Sequence, residues 1–238
     1  MSNFNQRPQG TKGQSFVELG IILPILLFLL AGLVEIGALI YDYLSILDVA
    51  REAARFASEH DHKILVAPPG GLPQSACEDE ALHYYYDTAC VVVGTNFNTN
   101  IKLDPARDDV AISVFTIDDN QVKSRNPYIS EDVWSLYSDN WMKDCEGNIV
   151  STTPFITNAE MNARLVIATP TVGASTPTLS SLEGAPTDKG RVLVEVYYCH
   201  EQILGLPIVS QLLPNPVRLH AYTIMPAPEA APTPTPLP

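Results

Sequence analysis

Sixteen consecutive residues, Leu19 to Val34, carry no charge; Glu18 precedes them, and Glu35 and "IGALIY" follow. On a helix the interval from Glu18 to Glu35 measures about 26 Å, close to the roughly 30 Å hydrocarbon thickness of a bilayer. One membrane-crossing helix, with a carboxylate near each face, is therefore the first constraint on the fold. A cleaved secretory signal would share the cationic start at Arg7 and Lys12. Its apolar region would be shorter, however, and no A-x-A-like cleavage site follows here. The flanks predict the orientation. Residues before the span are purely cationic, whereas Asp42, Asp48, Glu52 and Glu59 bias the far side toward acid. The positive-inside rule then places the N-terminus in the cytoplasm and the C-terminal domain outside it.

The helical pattern continues beyond the span. Ile40, Tyr43, Leu47, Ala50, Ala54 and Ala57 recur at alternating three- and four-residue steps, which predicts one packing stripe on a helix running to about residue 60. Alanine in that stripe lets another element approach closely. Asp48, Arg51, Glu52, Arg55 and Glu59 lie at ion-pair spacing and read as a solvated face. Residues 14 to 60 thus predict a helix of about 70 Å, with Pro24 marking a kink inside the membrane.

"APPGGLP" at residues 67–73 ends the pattern, and Ser75 with the acids after it suggests a short second helix. Strand patterns occupy 109–118, 163–170, 191–200 and 216–225. Residues 120–158 read as a long irregular insertion. The end, "PAPEAAPTPTPLP", reads as an extended, disordered tail. The fold class expected is α+β: a long N-terminal transmembrane helix continuing into an extracytoplasmic domain with an antiparallel sheet packed on it. The predicted boundaries are a leader at 1–13, the membrane helix at 14–41, its continuation at 42–60, the outer domain at 61–225 and the tail at 226–238.

A formal net charge of −13, with scattered cations, excludes phosphate-backbone binding, so nucleic acid is not an expected partner. Cys77, Cys90, Cys145 and Cys199 all fall on the outer side, where an oxidising compartment allows two disulfides in any of three connectivities. Buried thiols are the alternative. The chain contains no G-x-S-x-G, H-E-x-x-H, C-x-x-C or phosphate-loop motif. The histidines of "HDH" at 60–62 are two apart and diverge on a helix end, and "DCEGN" lacks the alternating oxygen ligands of a calcium loop. His83 and His200 read as packing and rim residues. No catalytic residue, metal site or cofactor is expected, and the chain does not read as an enzyme.

"KGQSFVELGIILPILLFLLAGLVEIG" followed by "REAARFAS" resembles the TadE-like proteins of the tight-adherence pilus system, which are pilin-like. In the type IV prepilin pattern a basic leader ends in Gly, a membrane peptidase cuts after it, and the fifth mature residue is Glu. The resemblance implies cleavage between Gly13 and Gln14, with Glu18 as the fifth mature residue and a subunit-docking group; many pilins have Phe where Gln14 stands. It implies as partners a prepilin peptidase, other pilin-like subunits and an inner-membrane assembly platform, with self-association into a filament. The function expected is that of a minor pilin or pseudopilin; the alternatives are the repeating subunit of a filament and, from another class, a membrane-anchored binding or enzymatic domain. The implied location is the cytoplasmic membrane, with incorporation into an extracellular pilus.

Overall fold

The apolar helical pattern forms one uninterrupted element. Helix α1 (Gln14–Ser58) is 45 residues long and passes through Pro24 as a single helical element. The computed structural model describes residues 14–63, 84–94, 102–118, 121–126, 133–137, 139–165, 190–205 and 214–230. Among these, α1 is the one helix long and apolar enough to cross a membrane. Every residue from Phe16 to Leu30 is exposed on the isolated chain, as a lipid-facing surface requires.

Past residue 45 the same helix becomes core. Ile46, Val49, Ala50, Ala53, Ala54 and Ala57 are all buried. The small alanines bring α1 close to helix α2 (Tyr84–Val93), which contributes Tyr84, Tyr85, Ala89 and Val92 to the same cluster. The Tyr84 hydroxyl donates to the Ala57 carbonyl at 3.1 Å, adding a bond from α2 to an acceptor in the last turn of α1 that also takes the His60 amide at 3.4 Å.

The sheet is antiparallel, in the order β2-β1-β4-β5. It comprises β1 (Asp109–Asp118), β2 (Gln121–Asn126), β4 (Gly190–His200) and β5 (Val217–Ala227), with the short β3 (Trp134–Ser135) also paired to β1. Alternation divides its side chains between two layers. Val110, Ile112 and Val114 of β1, Val192, Val194 and Val196 of β4, and Leu219 and Ala221 of β5 face the helices. Phe115, Ile117 and Leu193 point the other way, onto Ile156, Met161 and Leu165. Nearby, Ala111 and Tyr197 meet Val133, Trp141 and Met142. The central strands are covered on both faces, which is why they read as nearly continuous apolar runs. The fold is therefore α+β, a long N-terminal helix with an antiparallel sheet packed on it.

Three local expectations change. Residues 163–165, read as the start of a strand, close helix α3 (Asn158–Leu165), and 166–170 lie outside the described residues. A capping box explains the helix. The Glu160 amide donates to Thr157 Oγ1 at 3.2 Å, and the Thr157 amide donates to Glu160 Oε2 at 2.7 Å. The insertion at 120–158 carries β2, β3, a 3-10 turn at Asn140–Met142 and the start of α3. At the other end, Pro226 and Ala227 belong to β5, and Pro228–Ala230 form a 3-10 turn. Ala227 and Ala230 are buried against Gly190, where an added Cβ would come within 2.3 Å of the Ala230 Cβ. A docked segment thus replaces the first five residues of the expected tail. The second helix is described only from Tyr84, so its expected start at Ser75 lies outside the described residues.

Candidate functional site

The seam where α1 leaves the apolar zone and meets the sheet concentrates the unusual chemistry. Glu35 is 4% exposed, although it sits at the end of a sixteen-residue apolar run. Its carboxylate accepts three backbone N–H groups from the segment after β4: Ile203 at 3.0 Å, Leu204, and Gly205 at 3.2 Å. Gly205 has φ +55°, a left-handed conformation that glycine adopts without steric cost and that turns the segment's amides toward one acceptor. Two helical turns on, Asp42 meets His200, the last residue of β4, with Oδ2 2.7 Å from Nδ1. His200 is buried, so this contact ties helix to sheet rather than lying on the rim.

Beside it opens a cleft of about 420 Å³, lined by Asp42, Lys102, Arg107, Asp108, His200 and Glu201 among others. Arg107 is held between Glu201 at 2.8 Å and Asp104 at 3.0 Å, and the hydrogen bond to Glu201 pushes its pKa up. The backbone amide of Ala106 and the Arg107 side chain hold the Asp104 carboxyl below the usual range. Asp108 is buried, which raises its pKa, although it accepts from the Asp104 amide at 2.6 Å and the Cys199 amide at 2.8 Å.

Its neighbour Asp109 organises the insertion. It accepts from Val110 N at 2.8 Å, Ser135 Oγ at 2.7 Å, Tyr137 N at 3.0 Å and Trp141 N at 3.0 Å. Burial pushes its pKa up to about 6 despite these donors. Cys145, in the turn after the 3-10 segment, is disulfide-bonded to Cys199 with a Cα–Cα distance of 5.7 Å. On the sheet face away from α1, His220 stacks on Tyr197 at 4.4 Å and approaches Glu195 at 3.1 Å, while Arg218 lies over the Tyr197 ring at 4.8 Å.

The residues singled out from sequence fall into separate places. Gly13 lies outside the described residues, Gln14 opens α1, and Glu18 lies on the exposed surface of that helix. Of the packing stripe, Ala50, Ala54 and Ala57 are fully buried and Leu47 is half-buried. Ile40 and Tyr43 are corrected: they are 50% and 41% exposed. The line that packs runs instead through Glu35, Leu39, Asp42 and Ile46, one position out of phase with the apolar reading. Two of its members are acidic, so a search for apolar periodicity passes over them. Cys145 and Cys199 pair, Cys90 is disulfide-bonded as well, and Cys77 lies outside the described residues. Among the described residues no group of three or more His, Cys, Asp or Glu side chains has a metal-binding arrangement.

No curated protein and no solved structure matches the chain. The family profile described as TadE-like protein matches residues 13–55. That interval takes in nearly all of α1, including Glu18, Glu35, Asp42 and the buried alanines. Over this N-terminal segment the chain is similar to TadE-like proteins.

Proposed function

We propose that this protein is a minor pilin or pseudopilin of a Tad-type adhesive pilus, processed by a prepilin peptidase after Gly13 and acting by protein–protein contact rather than by catalysis. The observation that carries the reading is the Gly13-to-Glu18 interval placed directly before the uncharged stretch of α1, whose surface is exposed through Leu30, within the segment that matches the TadE-like family. Cleavage would create an α-ammonium at Gln14 in the same lipid layer as Glu18. In a bundle of such helices the amine of one subunit meets the carboxylate of an axially displaced neighbour, so both charges are compensated only when subunits dock in register. Other pilin-like subunits and the inner-membrane assembly platform are the partners this arrangement serves. The Cys145–Cys199 disulfide supports a domain held in an oxidising compartment, outside the cytoplasm.

Mass spectrometry of the N-terminus recovered from membranes, with and without Gly13→Ala, tests the reading. A mature chain beginning at Gln14 in the parent, and an uncut chain in the variant, is the expected result. An intact first residue in the parent, or a cut beyond Ala31, would sink it.

A further inference from the structure

Exposed apolar surface on α1 does not end at Glu35. Ile36, Ile40, Tyr41, Tyr43 and Leu44 are each between 41% and 59% exposed. Tyrosine is favoured at the boundary between hydrocarbon and headgroups. Counted from Glu18, a roughly 30 Å hydrocarbon layer is spanned at about residue 38, just short of Tyr41. Glu35 then lies about 9 Å below Tyr41 along the helix, inside the leaflet on the domain's side. Its three partners, the amides of Ile203, Leu204 and Gly205, are fixed at the same depth.

At that depth each side meets a need of the other. A carboxylate within the leaflet requires donors, and non-helical backbone there requires acceptors, because water supplies neither. The side chains on this segment suit the same place, since Ile203 is 65% and Leu204 47% exposed, and Ile203 lines one cleft with Ala38 and the exposed Tyr41 of the helix. The segment is tied back to the domain by the Gln202 amide, which donates to Asn215 Oδ1 at 3.1 Å. We propose that the Ile203–Gly205 segment is a second membrane contact, inserted into the leaflet on the domain's side and pinned there by Glu35, with Ile203 and Leu204 against acyl chains. The occupant of this apolar surface is lipid because the surface is continuous with the lipid-facing helix. The inference rests only on α1 being the membrane anchor and is independent of the pilin role.

The test uses the full chain in nanodiscs whose lipids carry bromine on their acyl chains. The buried Trp134 and Trp141 give the parent's baseline quenching. Leu27→Trp reports on the anchor, and Leu204→Trp, with Ile203→Trp as a second site, reports on the segment. Both segment variants are expected to show a quenched fraction at least about twofold above the parent, as interfacial insertion requires. Adding Glu35→Ala is expected to return the signal toward baseline while Leu27→Trp remains quenched. Quenching at Leu27→Trp without quenching at either segment site would overturn the insertion and leave the anchor standing. Baseline signal at all three sites would overturn both. Full quenching at Leu204→Trp in the Glu35→Ala background would overturn the pinning role of Glu35.

Discussion

Asp109 is the residue on which burial and hydrogen bonding oppose each other most directly. Four donors converge on its carboxylate, yet burial raises its pKa to about 6. The folded chain therefore takes up this proton as pH falls through about 6, whereas the unfolded chain takes it up only near the ordinary value of 3.8. The folded state binds more protons in that window, so this group's contribution to stability increases as pH falls from about 7 toward 4, by on the order of 3 kcal/mol. Replacement by Asn removes the titration and puts an amide N–H₂ in place of one oxygen, facing either the amides of Val110 and Tyr137 or the amide of Trp141. Leaving such donors unpaired costs about 1–3 kcal/mol each, so Asp109→Asn is expected to destabilise at pH 7 and to lose this group's share of the pH slope. Denaturant unfolding at pH 5 and pH 7 on both proteins checks both parts. An unchanged slope in the variant would count against the titration assigned to Asp109.

At the scale of elements, the Cys145–Cys199 disulfide joins the insertion to the end of β4 across a sequence separation of 54 residues. Closing a loop of that length restricts the unfolded chain by about 4 kcal/mol in the chain-entropy account. Cys145→Ser is expected to lower the thermal midpoint by several degrees, and Asp108, which accepts from the Cys199 amide, still holds that end of β4 in register. A midpoint equal to the parent's would show that the other ties of the insertion, those from Asp109, Asn140 and Arg218 among them, hold it without the bridge. The elements differed in how plainly the sequence announced them. α1, β1, β4 and β5 were legible because each is a long run with one periodicity or with two covered faces. Residues 163–165 were misread because "ARLVIA" is rich in β-branched residues. The capping-box signal Thr157-Asn158-Ala159-Glu160 stands just upstream and would have placed the helix. The seam was half legible: its alanines were found, while Glu35 and Asp42 were missed because their partners, the amides after β4 and His200, lie more than 150 residues away in sequence.

Considered as a whole molecule, α1 is both a helix long and apolar enough to cross a membrane and a structural part of the C-terminal domain. Ile46, Val49, Ala50, Ala53, Ala54 and Ala57 belong to the same buried cluster as the helix-facing sides of β1, β4 and β5. Movement of α1 along its axis would therefore carry the sheet with it. The same geometry predicts where the chain can be cut. A fragment beginning at Asp61 loses all six side chains and exposes the apolar sheet face they cover. Burying a side chain such as Ile or Val contributes about 1.5–3 kcal/mol, and with the four alanines the loss rivals the roughly 5–15 kcal/mol net stability of a typical domain. Residues 61–238 are thus expected to be aggregated or molten. Residues 38–238 keep the Asp42–His200 contact and the alanine face, and are expected to unfold cooperatively once a mild detergent covers Ile40, Tyr41 and Leu44. Near-UV circular dichroism and thermal unfolding of the two fragments distinguish the cases. A well-folded 61–238 fragment would make the helix a tether and strip the seam of its structural role, whereas a folded 38–238 fragment beside a molten 61–238 fragment would establish that membrane segment and domain act as one body.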